Sequence, residues 1–276
     1  MARKRYQFDA AKVARYQKDG RGQGSGESYK PWLAVQDVLS KGRRRRINGL
    51  KVNRVYHLMS DGEFYAFLQF DESAADIDVL EQVPLDPFET DRIARQMGVR
   101  PPVNPDGSPY VMTTDFLVAE KTASGIKYLA YSCKPNHEHD DRTREKLEIE
   151  RRYWKARGIA YKVIVTQGDH QVFVKNVMIV RAFRSLEGVF EPYGGCFADL
   201  AHYLVRQLAP SRETTLAQWC DAIDHEFCVP RGTALMVAKH LLAHKALSTD
   251  LWASDQMEHR PLAAFFVTPQ AREFLR

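Results

Sequence analysis

Apolar and polar positions along the first 165 residues predict a mixture of strands and helices. Residues 52–57 alternate as in a strand, and Ser60-Asp61-Gly62-Glu63 ahead of an apolar run marks the start of a helix. Two further strands are predicted over residues 111–118 and 126–133. Because Gly125 provides a turn between them, the pair predicts a hairpin.

The clearest helical pattern covers residues 142–157, and Gly158 lies at the favoured position for ending the helix. Residues 159–165 are almost entirely apolar and predict a buried strand. A strand, a helix and a second strand in this order form a crossover unit, so part of the sheet should be parallel. The first part of the chain is therefore predicted to be a mixed α/β domain.

Beyond residue 166 the pattern becomes mainly helical. Helices are predicted over residues 199–208, 216–227 and 233–244, with a short strand over 246–251. Helix, tight turn, helix and strand is the order of a winged helix, although a purely structural helical subdomain fits the pattern equally well. We therefore expect two domains, residues 1–167 and residues 168–276.

Composition excludes several protein classes. No stretch approaches the roughly 18 apolar residues that a membrane span requires. The four cysteines form no C-x-x-C pair, so neither a zinc site nor a disulfide framework is indicated. The first residues are basic but no apolar segment follows them, unlike a secretory signal. We expect a cytoplasmic protein with no membrane partner.

The positive charge is concentrated near the N-terminus. Residues 1–46 contain thirteen Lys or Arg against four Asp or Glu, whereas the whole chain carries a net charge of only +5. The densest run comprises Lys41, Gly42, Arg43, Arg44, Arg45 and Arg46. Such a run attracts a polyanion with little regard to sequence, and DNA is the leading partner. A solvated basic tail is the alternative.

Candidate residues for phosphodiester hydrolysis occur on the predicted hairpin. Carboxylates that hold Mg²⁺ and a nearby lysine are a frequent solution to this reaction. Asp115 is on the first strand, Ser132 and Lys134 share a face of the second, and Glu63 is an acid upstream. Each of these residues also has a purely structural interpretation. Glu63 fits a capping box with Ser60, Asp115 fits a surface acid, and Lys134 fits a solvated charge. The spacing alone therefore does not identify an active site.

Two other sites for chemistry are disfavoured. His137 and His139 flank Glu138 without the H-E-x-x-H spacing of a zinc hydrolase, so a polar surface loop is the better interpretation. No Gly-x-Ser-x-Gly elbow is present, and no cysteine has the context of a nucleophile. Covalent catalysis is therefore not indicated.

Several motifs taken together resemble the TnsA family, the endonuclease subunits of bacterial transposons with heteromeric transposases. Order and spacing agree over residues 20 to about 165. The matching segments are Gly20-Arg-Gly-Gln-Gly, Tyr29-Lys-Pro-Trp-Leu33, His57-Leu58-x-Ser60-Asp61-x-Glu63, Glu81-Gln82-x-Pro84-Leu85, Met112-x-Thr114-Asp115-Phe116-Leu117-Val118, Lys134-Pro135 and Glu145-Lys146-Leu147-Glu148-x-Glu150-Arg151-Arg152-Tyr153-Trp154.

The resemblance implies an α/β fold, with a restriction-endonuclease-like mixed sheet and flanking helices, plus a smaller winged-helix-like C-terminal domain. It implies Mg²⁺-dependent cleavage (one or two ions, with Mn²⁺ able to substitute) of the 5′ strand at double-stranded transposon ends. An integrase-type transposase subunit would cut the other strand, and an AAA-type ATPase regulator would contact the C-terminal domain. Glu63 and Asp115 become metal ligands, and Lys134 orients or activates the attacking water.

One position departs from the family. Ser132 occupies a site that is usually glutamine, and a short neutral hydroxyl is a weaker ligand. A water or the main-chain carbonyl of Cys133 then offers another route to the metal. Two alternatives stay open: a catalytically weak or inactive assembly factor that bridges DNA end and regulator, and a free-standing repair or restriction nuclease.

Overall fold

The computed structural model describes residues 8–38, 43–136, 140–166 and 170–274. The chain divides into two compact units, Met1–Gly168 and Asp169–Arg276. The domain boundary expected from the sequence, between residues 167 and 168, is one residue away from this division. Each unit has its own hydrophobic core.

The described part of the first unit combines a sheet, a separate hairpin and four α-helices. Its elements are listed in chain order: α1 (Ala10–Lys18), β1 (Arg45–Asn48), β2 (Val55–Leu58), α2 (Asp61–Glu72), β3 (Asp76–Pro84), α3 (Pro87–Gln96), β4 (Thr113–Thr122), β5 (Gly125–Lys134), α4 (Asp141–Lys155) and β6 (Ala160–Val165).

The main sheet has four strands in the order β3-β4-β5-β6. β3 pairs with β4, and β4 with β5, in antiparallel fashion, whereas β5 and β6 are parallel. The predicted hairpin and the predicted crossover are therefore both present. The arrangement is a mixed α/β sheet with flanking helices, consistent with a restriction-endonuclease-like fold.

Polar caps explain where the main helices begin. The Ser60 hydroxyl accepts a hydrogen bond from the amide of Glu63, and the Asp140 carboxylate accepts one from Thr143. These bonds satisfy amides that have no partner within the helix. α4 is followed by Gly158, whose φ of 69° is a left-handed conformation that glycine adopts without steric cost.

A hydrophobic cluster between the sheet and two helices holds the first unit together. It joins α3 and α4 to strand residues such as Ala130, and its buried members are Leu85, Ile93, Ala94, Met112, Ala130, Ile149, Tyr153 and Trp154. Burial of this apolar area is the main stabilising contribution expected for such a layer. α4 is thus fixed against the strands that carry the candidate residues.

The prediction that β6 is buried is wrong. β6 is the last strand of the sheet, and Ala160, Lys162 and Val163 on it are exposed. Its apolar composition suits a strand with one open edge as well as a central strand. A run of apolar residues indicates a strand but does not fix its place in the sheet.

The second unit is mainly helical. Its elements are α5 (His170–Arg181), α6 (Cys196–Gln207), α7 (Leu216–Glu226), α8 (Thr233–Ala243), β7 (Leu247–Ser248), β8 (Phe266–Val267) and α9 (Ala271–Phe274). β7 and β8 form a short antiparallel pair. The winged-helix assignment of this unit stays a prediction.

The core of the second unit is formed mainly by α6, α7 and α8, and it includes the fully buried Leu204 and Leu241. The Asp224 carboxylate on α7 accepts hydrogen bonds from the amides of Gly232 and Ala234, which fixes the start of α8. Within the described ranges, none of the helices combines the length and apolar character needed to span a membrane.

Candidate active site

Glu63 lies on the first turn of α2 with its side chain buried. The Ser60 hydroxyl caps the helix, as the capping alternative predicted. The main-chain amide that donates to the Glu63 carboxylate is that of Met59, whereas a capping box predicted that of Ser60. Oε2 of Glu63 accepts a hydrogen bond from the amide of Met59 at 2.9 Å, and Oε1 is 3.2 Å from the Ser60 hydroxyl. The carboxylate therefore faces inward instead of serving only as a surface cap.

Asp115 and Cys133 meet across the β4–β5 hairpin. The amide of Cys133 donates to Oδ2 of Asp115 at 2.7 Å, which fixes one oxygen of the carboxylate. Burial raises the pKa of the Cys133 thiol well above its usual value, so the neutral thiol is a poor metal ligand. A ligand from Cys133 would therefore have to come from its main chain.

Hydrogen bonding and strand register bring Glu63 and Asp115 to the same part of the sheet. Gln82 donates to Glu63, and its neighbours Glu81 and Val83 pair with Phe116 and Thr114, on either side of Asp115. Burial, followed by the charge of Asp115, raises the pKa of Glu63. Burial also raises the pKa of Asp115, and the charge of Lys134 and hydrogen bonds from Cys133 and Gln82 oppose that rise. The charge of Asp115 thus disfavours the ionisation of Glu63, and a bound cation would relieve this effect.

Lys134 ends β5 next to this pair, and its main chain is held in place. Its carbonyl accepts hydrogen bonds from the amide of Thr166 at 2.9 Å and from the Thr166 hydroxyl at 3.2 Å. Thr166 in turn packs against Gly62, where an added Cβ would lie 2.7 Å from the Thr166 hydroxyl oxygen. Glycine at this position lets the start of α2 approach the end of β5.

Ser132 contacts a carboxylate on the neighbouring helix. Its buried hydroxyl donates to Oε2 of Glu150 at 2.7 Å, and the Thr114 hydroxyl donates to the same oxygen at 3.0 Å. Trp154 donates to Thr114 at 2.8 Å. The Ser132 oxygen thus has a partner in this structure, and its role as a metal ligand stays a prediction.

Burial, and then the charge of Asp115, raises the pKa of Glu150 to about 7. The hydroxyl of Ser132, the charge of Lys134 and the hydroxyl of Thr114 oppose this rise. Glu150 therefore belongs to the same electrostatic cluster as Asp115 and Lys134, from the side of α4.

Comparisons with known proteins place the chain in a family. Residues 77–166 match the model of the TnsA-like endonuclease N-terminal domain, and residues 170–251 match that of the TnsA endonuclease C-terminal domain. The transposon Tn7 transposition protein TnsA of Escherichia coli is 34% identical over 255 residues, or 92% of this chain and 91% of the relative. The chain belongs to the TnsA family. The resemblance found in the sequence is confirmed, and membership supports a nuclease that acts in transposition.

Two residues of this TnsA-family site were not singled out from the sequence, although each left a signal. Glu150 is an acid on the apolar face of α4, three residues after Leu147 and four before Trp154. Gln82, with Glu81, interrupts the apolar run of β3. Both side chains are buried. A polar residue inside an apolar periodicity is the feature that could have identified them.

The four predicted DNA-binding arginines divide into two pairs. Arg44 donates to the carbonyls of Val35 and Val38, both at 2.6 Å. Arg45 pairs with Asp61 at 2.7 Å and lies over the Phe64 ring, 4.2 Å from its centroid. Arg43, Arg44 and Arg46 are exposed, whereas Arg45 is half-buried. DNA contacts are therefore best sought at Arg43 and Arg46; Lys41 and Gly42 lie outside the described residues.

The donor set at Glu63 and Asp115 fits Mg²⁺. Within the described part of the chain, no three His, Cys, Asp or Glu side chains form a metal-binding group. Mg²⁺ is commonly held by one or two carboxylates, with waters and substrate phosphates completing its shell. Two buried carboxylates next to a lysine suit that mode. His137, Glu138 and His139 lie outside the described residues.

Proposed function

We propose that this TnsA-family chain is a Mg²⁺-dependent DNA endonuclease that cuts the 5′ strand at transposon ends. The observation that supports this most strongly is that Glu63 is bonded to Gln82, which lies opposite Asp115 in the sheet, and that Asp115 is bonded to the amide of Cys133, the residue before Lys134. Glu63, Asp115 and Lys134 come from different elements, and the fold gives all three a fixed position. Family membership supports a nuclease of transposition, and the positions of these three side chains support the choice of residues.

Glu63 and Asp115 would hold the cation between them, with Mn²⁺ as an alternative to Mg²⁺. When bound, the ion would stabilise charge on the scissile phosphate and acidify an attacking water. Lys134 would orient that water and balance the negative charge of Asp115. Glu150, bonded to Ser132, would keep the strand ends in register with α4.

The proposed reaction takes place in a complex. An integrase-type transposase subunit would cut the other strand, and an AAA-type ATPase regulator would bind the second unit. Arg43 and Arg46 would contact the phosphates of the transposon-end duplex, which positions DNA without reading its sequence. These partners follow from the family assignment and are part of the proposal.

The test is cleavage of transposon-end duplexes labelled separately on each strand. The assembled complex is compared in Mg²⁺ and in chelator, using wild type, Asp115→Asn and the control Glu120→Gln on the same strand. We expect Asp115→Asn to lower 5′-strand cleavage more than about 100-fold, because losing even an outer partner of a metal ligand costs about 10–100-fold. Undiminished cutting by Asp115→Asn would contradict the assignment.

A second candidate function is a catalytically weak assembly factor that bridges DNA and the regulator. The bond between Ser132 and Glu150 favours it, because that hydroxyl already has a partner. This candidate predicts that wild type and Asp115→Asn assemble on transposon ends equally well and that neither cuts the 5′ strand. The same strand-resolved assay distinguishes the two functions.

A further inference from the structure

Gln82 occupies an unusual backbone conformation in the middle of β3. Its φ is 51°, in the left-handed region that residues other than glycine rarely adopt. Successive residues of a strand normally face opposite sides, yet Glu81 and Gln82 are both buried, with exposed fractions of 0% and 3%. The Gln82 side chain therefore lies inside the protein, as that of Glu81 does.

The surrounding chain holds this conformation. The amide of Trp32 donates to the Gln82 carbonyl at 3.2 Å, and the Tyr29 hydroxyl donates to the Glu81 carbonyl at 3.0 Å. A non-glycine residue at such a φ is strained and persists only where neighbouring contacts enforce it. Strained backbone positions of this kind cluster at functional sites.

The Gln82 amide connects Glu63 to β4. Its Nε2 donates to Oε2 of Glu63 at 3.3 Å, and its Oε1 accepts from the Thr113 hydroxyl at 3.1 Å. A carboxylate that binds a cation is ionised and only accepts hydrogen bonds, so the amide nitrogen has to face Glu63. The Thr113 hydroxyl then fixes the amide in that orientation.

The two carboxylate oxygens of Glu63 have different hydrogen-bond partners. Oε2 receives hydrogen bonds from both Met59 and Gln82, whereas Oε1 contacts the Ser60 hydroxyl. Two donors on one oxygen prevent the carboxylate from rotating. Oε1 is then the oxygen that remains better placed to bind a cation.

We infer that Gln82 is a positioning residue that orients the Glu63 carboxylate for the metal ion, with Thr113 fixing the Gln82 amide. This role rests on the proposed function, because it presupposes that Glu63 binds the ion. Outer hydrogen-bonding partners of metal ligands commonly contribute a factor of about 10–100 to metal affinity.

The test measures Mn²⁺ binding to the full chain without DNA, from the loss of the free-ion electron paramagnetic resonance signal. Gln82→Met keeps the length of the side chain and removes its hydrogen bonds, and Thr113→Val removes the hydroxyl. The matched control is Thr122→Val, since the Thr122 hydroxyl bonds to Gly125 at the hairpin end of the same strand. Melting temperature in chelator monitors the fold.

We expect Gln82→Met to raise the Mn²⁺ dissociation constant about 10-fold, Thr113→Val to raise it less, and Thr122→Val to leave it unchanged. A purely structural role would lower the melting temperature without changing the dissociation constant, and that result would overturn the inference. If Gln82→Met does not fold, unchanged affinity in Thr113→Val overturns it instead. Absence of saturable, Asp115-dependent binding in wild type would overturn the proposed metal site itself.

Discussion

Burial determines how Glu150 behaves near neutral pH. The pKa of this carboxyl is raised to about 7, chiefly by burial and next by the charge of Asp115. Glu148, two residues earlier on α4, is partly exposed, and its hydrogen bonds with Arg151 and Arg152 lower its pKa to about 2. The pKa of Glu150 is therefore raised and that of Glu148 lowered, so their contributions to stability change with pH in opposite directions.

The contribution of Glu150 to stability should fall as the pH rises from about 4.5 to about 7. Folded Glu150 keeps its proton to a higher pH than the unfolded chain does, so its contribution is complete below about pH 4.5 and is lost as the pH passes its folded pKa. Glu150→Gln should make the unfolding free energy less dependent on pH between 5 and 8, by up to about 3 kcal/mol. Urea unfolding in chelator measures this.

Glu148→Gln is the matched control for this prediction. Since the pKa of Glu148 is lowered, its contribution to stability is present above the unfolded value and is lost only as the pH falls toward about 2. We expect no change in slope between pH 5 and 8. Equal slopes in wild type and Glu150→Gln would mean that Glu150 is solvated in the folded protein.

The sequence could suggest individual residues of the candidate site, but it could not predict which side chains contact each other. Asp115 and Lys134 were proposed as site residues because strand alternation and family motifs both apply to them. The partner of Ser132 was not found, because Glu150 lies eighteen residues further along and reaches Ser132 only through the crossover. Which face of a helix meets which strand depends on packing that no local pattern contains.

At the scale of elements, the arginines of the basic segment differ in their contacts. Arg44 and Arg45 contact the main chain of residues 35–38 and the start of α2, so they help fix the β1–β2 hairpin. Arg43 and Arg46 are exposed on the same segment. A run of four arginines thus contains both structural and solvent-facing members, which composition alone does not separate.

We expect the double variant Arg43→Ala/Arg46→Ala to weaken binding to transposon-end and random duplexes equally. Each lost phosphate contact should reduce the slope of log affinity against log salt by about 0.9. Fluorescence anisotropy over a salt series measures both effects. The control is Arg92→Ala/Arg95→Ala, which removes two exposed arginines of α3 that pair with Glu89 and Asp91. Unchanged binding to random DNA would make Arg43 and Arg46 a solvated segment.

Some elements with strong end signals were predicted well, and others were missed. α2, α4 and the β4–β5 hairpin lie close to their predicted bounds because Ser60, Gly158 and Gly125 mark their ends. Among the elements that were not predicted are α1, α3, α5, β1 and β3, although Asp86 caps the start of α3. In β3 the buried polar pair Glu81 and Gln82 interrupts the apolar pattern that identifies a strand.

At the scale of the whole molecule, each unit contains a hydrophobic core of its own. The core of the second unit contains residues from 180 to 271, with Leu204 fully buried among them. In the sequence, the pattern of apolar positions changes near residue 166 from mixed strands and helices to mainly helices, and the expected boundary was placed there. Separate cores are what allow units of this size to fold as domains.

A fragment of residues 170–276 should therefore fold alone and unfold in one cooperative transition. Leu204→Ala leaves a cavity in its core and should lower the unfolding free energy by about 2–5 kcal/mol. Met178→Ala on α5, where 41% of the residue is exposed, should cost less. Circular dichroism during urea unfolding measures all three proteins. A non-cooperative transition in the wild-type fragment, or equal losses in both variants, would mean that this core does not stabilise the unit by itself.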